Sequence, residues 1–201
     1  NVAVVGTDYV GLTDSKGTVT LEQVPTGSRL FLKMDDPLGR VVKQIQEVLI
    51  ETKTDNYPVQ VVRSLVHDTR MQTIRSTQDP SNGSLCGQVR DENALVDGVG
   101  VGLDIEAEGP YYFNQYGYLD ATLSTTSVNG RFCFYNVPGG AAAVGVYDGE
   151  QRIVLNVVPI LNGFHSEYTF QVSQTFTFST RLAAMPAAAE QLSADRALAA
   201  E

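Results

Sequence analysis

Two thiols, two imidazoles and a few grouped carboxylates are the residues of this sequence with reactive chemistry. Hydrolysis of the Ser-His-Asp kind needs a His held between a nucleophile and a carboxylate. His67 falls in a polar stretch and His165 in a Gly-Phe-His-Ser turn, and neither adjoins a nucleophile elbow. Zinc asks for Cys and His clustered at short spacing, and no such cluster is present. Asp104, Glu106 and Glu108 alternate as if on one strand face. They could attract calcium, but the loop spacing of a known calcium site is missing, so a solvated strand edge competes with that reading. The expectation is a chain that is not an enzyme, with no catalytic residue, no metal and no cofactor. Cys86 and Cys133 are then left with structural chemistry, a disulfide or two free thiols.

Aromatic side chains are the other group that can recognise something. Tyr111, Tyr112, Phe113, Tyr116 and Tyr118 crowd into one segment. A tyrosine has a dry face and a wet edge, which suits interfaces and sugar stacking. The same residues could instead cover the open end of their own domain.

Charge and composition remove several classes. The 201 residues carry a formal charge of −9, which repels a phosphate backbone and argues against nucleic acid as a partner. No run of about 18 apolar residues exists, so no membrane-spanning helix is expected. Eighteen Gly, nine Tyr and eight Phe, with many Val and Thr, favour strands and turns. Asn1-Val-Ala-Val-Val is strand-like from its first residue, and the expectation is that an upstream segment was removed or is not included.

The elements that must position these groups are announced by an echo. Thr13 to Gly27, TDSKGTVTLEQVPTG, aligns without a gap on Thr126 to Gly140, TSVNGRFCFYNVPGG. Gly17 falls on Gly130, Pro25 on Pro138 and Gly27 on Gly140. A fixed-offset echo is the signature of a duplicated unit. Each copy reads as a glycine turn, a short alternating strand, and a Val-Pro-x-Gly stop where proline cannot extend a ladder. Strands are expected at 18–23, 29–34, 41–51 and 57–65, although 41–51 also has helical spacing. His67 to Ser84 is polar and ends in Asp79-Pro80-Ser81-Asn82-Gly83-Ser84. Asn82-Gly83-Ser84 also matches a glycosylation acceptor, against the plainer reading of a linker.

In the second copy, strand parity turns Cys86 away from the face of Leu85, Gly87 and Val89. It turns Cys133 away from the face of Phe132 and Phe134. If the two strands are neighbours, a cross-strand disulfide is possible and is the favoured reading; the alternative is two free thiols on the surface.

The succession LCGQV, GVGVGL and NGRFCFYNVPGG resembles the carboxypeptidase regulatory-like domains, which are small prealbumin-like sandwiches close in pattern to the B-type repeats of bacterial surface adhesins. The resemblance implies an all-β protein, two tandem Ig-like or prealbumin-like Greek-key β-sandwiches with a short C-terminal helical tail. The expected division is 1–75 for a first sandwich, 76–84 for a linker, 85–172 for a second sandwich, and 173–201 for an extra strand and an Ala-rich tail. Related sandwiches are sometimes locked by a Lys–Asn isopeptide bond. Here Lys16, Lys33, Lys43 and Lys53 all lie in the first unit, so the second cannot form one.

Against that pattern the first unit lacks a counterpart of Leu85–Val89, its opening strand. The tail has a strand too many, with Phe176 and Phe178 on one face and Thr175 and Thr177 on the other. A sheet missing a strand is a template for a strand from elsewhere. The expectation is therefore an extracellular, cell-surface structural subunit, its partners copies of itself, polymerising head to tail with Thr175 to Phe178 as donor. The tail could instead fold back on its own chain. The alternative function is a glycan-binding or accessory module that uses the Tyr111 to Tyr118 segment.

Overall fold

In the computed structural model, residues 1–22, 24–50, 57–92 and 94–172 are described. The donor segment Thr175 to Phe178 and the Ala-rich tail with its expected helix lie outside them. Among the described residues the fold is all-β apart from one short helix. Four strands precede that helix: β1 (Val2–Val4), β2 (Val10–Gly11), β3 (Ser28–Met34) and β4 (Gln44–Ile50). The helix is α1 (Ser64–Thr73). Eight strands follow: β5 (Asn82–Arg90), β6 (Gly100–Leu103), β7 (Glu108–Phe113), β8 (Leu119–Asp120), β9 (Arg131–Pro138), β10 (Gly140–Asp148), β11 (Gln151–Ile160) and β12 (His165–Gln171).

They form two sheets. The larger runs β2-β1-β3-β4-β12-β5-β9-β7-β8, and the smaller runs β11-β10-β6. The β12-β5-β9-β7 part faces the small sheet across a core that includes Leu85, Val89, Val101, Phe132, Phe134, Val144, Val146, Ile160 and Phe170. Burying each such side chain contributes about 1.5–3 kcal/mol. The Val-Pro-x-Gly stop lies where the chain leaves the large sheet at Pro138 and enters the small one at Gly140.

The first stretch takes an unexpected form. Among the described residues its strands form no separate pair of sheets. They extend the large sheet, because β4 pairs in parallel with β12 at His165↔Gln44, Ser166↔Ile45 and Glu167↔Gln46. A small separate core of Val2, Val4, Leu32, Met34 and Val48 lies on this extension, with Val19, Leu21 and Val59 packed against it. The strand preference for 41–51 holds at β4. The described residues of 18–23 form no strand, and 57–63 none beyond a bridge Val41↔Arg63. The two copies of the echo nevertheless make the same turn. Gly17 N–H donates to the Asp14 carbonyl at 3.0 Å, and Gly130 N–H to that of Ser127 at 2.7 Å. Both glycines have positive φ, 80° and 61°. Only the second copy finds a ladder, since β9 lies between β5 and β7.

The helix also departs from expectation. Residues 64 and 65 start α1 rather than end a strand, and the polar stretch after them is helical. His67 and Met71 are its buried residues, with Ile74 partly buried against the same cluster. These three stand at i, i+4 and i+7, one helical stripe. Among the described residues no helix is long and apolar enough to cross a membrane.

Candidate functional site

Both cysteines point away from the sandwich core, as parity requires, yet neither reaches solvent. They are directly opposed on β5 and β9 and are joined as a disulfide. α1 and the β7–β8 hairpin cover them, so that Met71, Phe113, Leu119 and Tyr135 pack around the bond. The outer face of the large sheet thus carries a second, smaller core, which strand parity alone does not reveal.

Beside it lies a polar cluster that brings together residues far apart in the chain. The parallel pairing of β12 with β5 sets Glu167 opposite Cys86 and His165 opposite Ser84. The Ser84 hydroxyl meets His165 Nδ1 at 2.8 Å, and His165 Nε2 meets Glu167 Oε2 at 3.0 Å. The order Ser-His-Glu resembles a hydrolase constellation, but the Ser84 side chain is buried in the sheet at 3% exposure, where no substrate carbonyl can reach it. His67 approaches from α1, its ring 6.1 Å from that of His165 and 5.8 Å from that of Tyr135. Burial, and secondly the neighbouring imidazole, push the His67 pKa down from 6.5 to about 4. Burial pushes the Glu167 carboxyl up, but the hydrogen bond from His165 and the charges of His165, Arg131 and Arg70 outweigh it, so the net shift is downward. Burial likewise drives the Tyr135 hydroxyl up to about 12.

Cys86, His165 and Glu167 offer ligand atoms within 4.8 Å of one another. A metal would need Cys86 as a thiolate, and its sulfur is bonded to Cys133. The donor set fits a disulfide flanked by a hydrogen-bonded His–Glu pair rather than a metal centre. The acidic trio is not on one strand, since β6 ends at Leu103 and β7 starts at Glu108. Asp104 Oδ1 accepts from Ala143 N–H at 2.7 Å and Glu108 Oε1 from the Asn136 side-chain amide at 2.7 Å.

The aromatic segment divides. Tyr112 and Phe113 are buried, and the Tyr112 hydroxyl accepts from Val101 N–H at 3.0 Å. Tyr111 is half-buried, its ring 6.1 Å from that of Tyr135. Tyr116 and Tyr118 are 75% and 71% exposed at the β7–β8 turn. The five residues therefore do not form one recognition surface. Lys33 and Lys43 hold their ammonium groups 4.8 and 6.0 Å from the Phe164 ring, clamping the first stretch to the second.

One sheet edge differs from the others. The outermost strands β2, β8 and β6 have two, two and four residues, whereas β11 has ten. Among the described strands, β11 pairs with β10 alone. Its outer face carries Leu155 and Val157, 45% and 65% exposed. Nothing in local composition marks β11 as an edge, because strand order is a tertiary property.

No protein family and no curated protein matches the sequence. Solved structures show a distant likeness in fold. The shaft pilin SpaA of Lactobacillus rhamnosus GG is 8% identical over 84% of this chain and 71% of its own, with a TM-score of 0.33. BcpA, the major pilin subunit of Bacillus cereus, is 15% identical over 78% of this chain, with a TM-score of 0.32. The chain spans 42% of the length of that Bacillus cereus pilin.

Proposed function

We propose that this chain is a non-catalytic structural subunit, displayed outside the cell, that assembles with copies of itself by β-strand addition at β11. The observation that carries the reading is the β11 edge: ten residues long, paired on one side among the described strands, with Leu155 and Val157 facing outward. Long, flat, apolar edges recruit strands, and proteins that must stay monomeric shorten or charge them. Here the other three described edges are short and this one is not, although Pro159 and a register shift opposite Val146 and Tyr147 interrupt it. The incoming strand is Thr175 to Phe178 of a neighbouring copy, whose alternation suits a ladder with one apolar face. Contacts of this head-to-tail kind extend into fibres unless their rotation closes them. A buried disulfide and an acidic surface suit life outside the cell.

The test uses the full chain. Val157→Lys should leave it folded and monomeric by sedimentation, while the parent assembles. Phe176→Asp combined with Phe178→Asp should do the same. If the double variant loses stability but still assembles, the tail belongs to its own chain and is not the donor. A second reading keeps the glycan module, now confined to the exposed Tyr116 and Tyr118. Glycan-array binding abolished by Tyr116→Ala with Tyr118→Ala would favour it.

A further inference from the structure

A cavity of about 290 Å³ opens where the large sheet meets the start of α1 and the segment before it. Arg63, Arg70 and Arg131 line it, together with a single carboxylate, Glu167. Three arginines thus line one cavity in a chain whose formal charge is −9, with the Arg131 guanidinium held by Glu167. Glu167 is already engaged on both oxygens, by Arg131 Nη2 at 3.2 Å and by His165 Nε2 at 3.0 Å. Arg70 lies over the Phe113 ring at 5.0 Å and close to the Tyr135 hydroxyl, and neither its buried Nη1 nor that hydroxyl makes a hydrogen bond of good geometry among the described residues. A buried, unpaired donor on a charged group is costly, and each one in a native structure calls for an acceptor. α1 begins on the same wall. Its N-cap is Arg63, no side chain caps it, and Val66 lies in its first turn. The positive end of a helix adds to the pull on an anion. Val61, Val62 and Val66 supply an apolar side to the cavity.

We propose that this cavity binds a carboxylate, which accepts from Arg70 Nη1 with help from Arg63 and the start of α1, while its carbon chain lies on Val61, Val62 and Val66. A planar carboxylate matches the guanidinium fork, and the valine side favours an organic acid over a bare inorganic ion. Two sources offer this chemistry: a free small acid, or an acidic side chain of a second copy.

The full chain is titrated with succinate at constant ionic strength and followed by calorimetry and thermal unfolding. Saturable one-to-one binding with a rise in Tm is expected. Arg63→Gln, at the exposed rim, should weaken binding about tenfold, or about 1.4 kcal/mol. Arg70→Gln should weaken it further. If Arg70→Gln does not fold, Arg63→Gln carries the test. Absence of saturation overturns the proposal, as does an unchanged Kd in Arg63→Gln. Inorganic phosphate binding as tightly as succinate overturns the carboxylate assignment. Sedimentation during the titration separates the sources. Succinate that dissociates assemblies marks the neighbouring copy's side chain as the occupant, and binding at unchanged mass marks a free acid. The site is independent of strand addition: Val157→Lys should still bind succinate.

Discussion

His67 is the residue whose environment departs furthest from what its neighbours in sequence suggest. It is buried under α1 against Tyr135 and His165, with Asp68 3.8 Å from its Nδ1 and Arg70 on the same helix. The folded chain takes up this proton near pH 4 and the unfolded chain near 6.5. Between these values the unfolded chain holds more protons, so stability falls as pH drops from about 6.5 to about 4. His67→Phe keeps a ring in place and should flatten that slope, read from urea midpoints across the range. Glu167, with its lowered pKa, adds a further loss below its ordinary value of 4.5. The echoed glycines make a second comparison. A Cβ at Gly130 would meet the Val89 carbonyl at 2.5 Å, whereas one at Gly17 meets nothing within 4 Å. Gly17→Ala should cost about 1–2 kcal/mol from the left-handed backbone alone. Gly130→Ala should cost measurably more in the same urea assay.

At the scale of elements, the disulfide and the helix above it form one unit. Cys86 and Cys133 lie 47 residues apart. Closing a loop of that length constrains the unfolded chain by about 4 kcal/mol. Cys86→Ala with Cys133→Ala should lower stability by up to that amount and loosen α1, seen as faster amide exchange at Met71. The intact mass without reductant should be lower than the reduced mass by two hydrogens, and alkylation without reductant should fail. Full alkylation would show free thiols instead. β11, which pairs on one side among the described strands, is the element to which the proposed strand addition assigns association rather than stability. Val157→Lys should therefore change mass by sedimentation while moving Tm little, since its side chain is exposed.

At the scale of the whole molecule, the junction between the two stretches is narrow. β4 and β12 share three residue pairs, whereas β5 and β12 share seven. His165 N–H adds one bond to the Lys43 carbonyl at 2.7 Å, and Lys33 and Lys43 reach over Phe164. The core around Val2, Leu32 and Val48 is separate from the main one and much smaller. Regions with few buried apolar contacts open at lower free energy. Native-state hydrogen exchange should find the amides of β3 and β4 released before those of β5, β9 and β12. Simultaneous release of all five would mean that the junction couples them into one cooperative unit.

The sequence by itself determined whatever depends on neighbours a few residues away. Gly17 and Gly130 make their turns because a left-handed backbone is a local demand, and both copies meet it. The all-β character follows from alternation and turn chemistry. The orientation of Cys86 and Cys133 away from the main core follows from a period of two. α1 was legible in principle, in the stripe His67, Met71 and Ile74, but the repeat argued for a strand and a polar linker there. The tertiary structure decided the rest, because each remaining feature depends on which strand lies beside which. Thr18 to Glu22 has the pattern of β9 but pairs with no neighbouring strand among the described residues, so it forms no strand there. His165, Ser84, Glu167 and Cys86 meet only because β12 runs parallel to β5. Tyr112 and Tyr116 differ in burial because one lies within β7, packed against the core, and the other in the turn beyond it. Strand order arises from long-range pairing, and the local sequence specifies the edges available for pairing without specifying the partner.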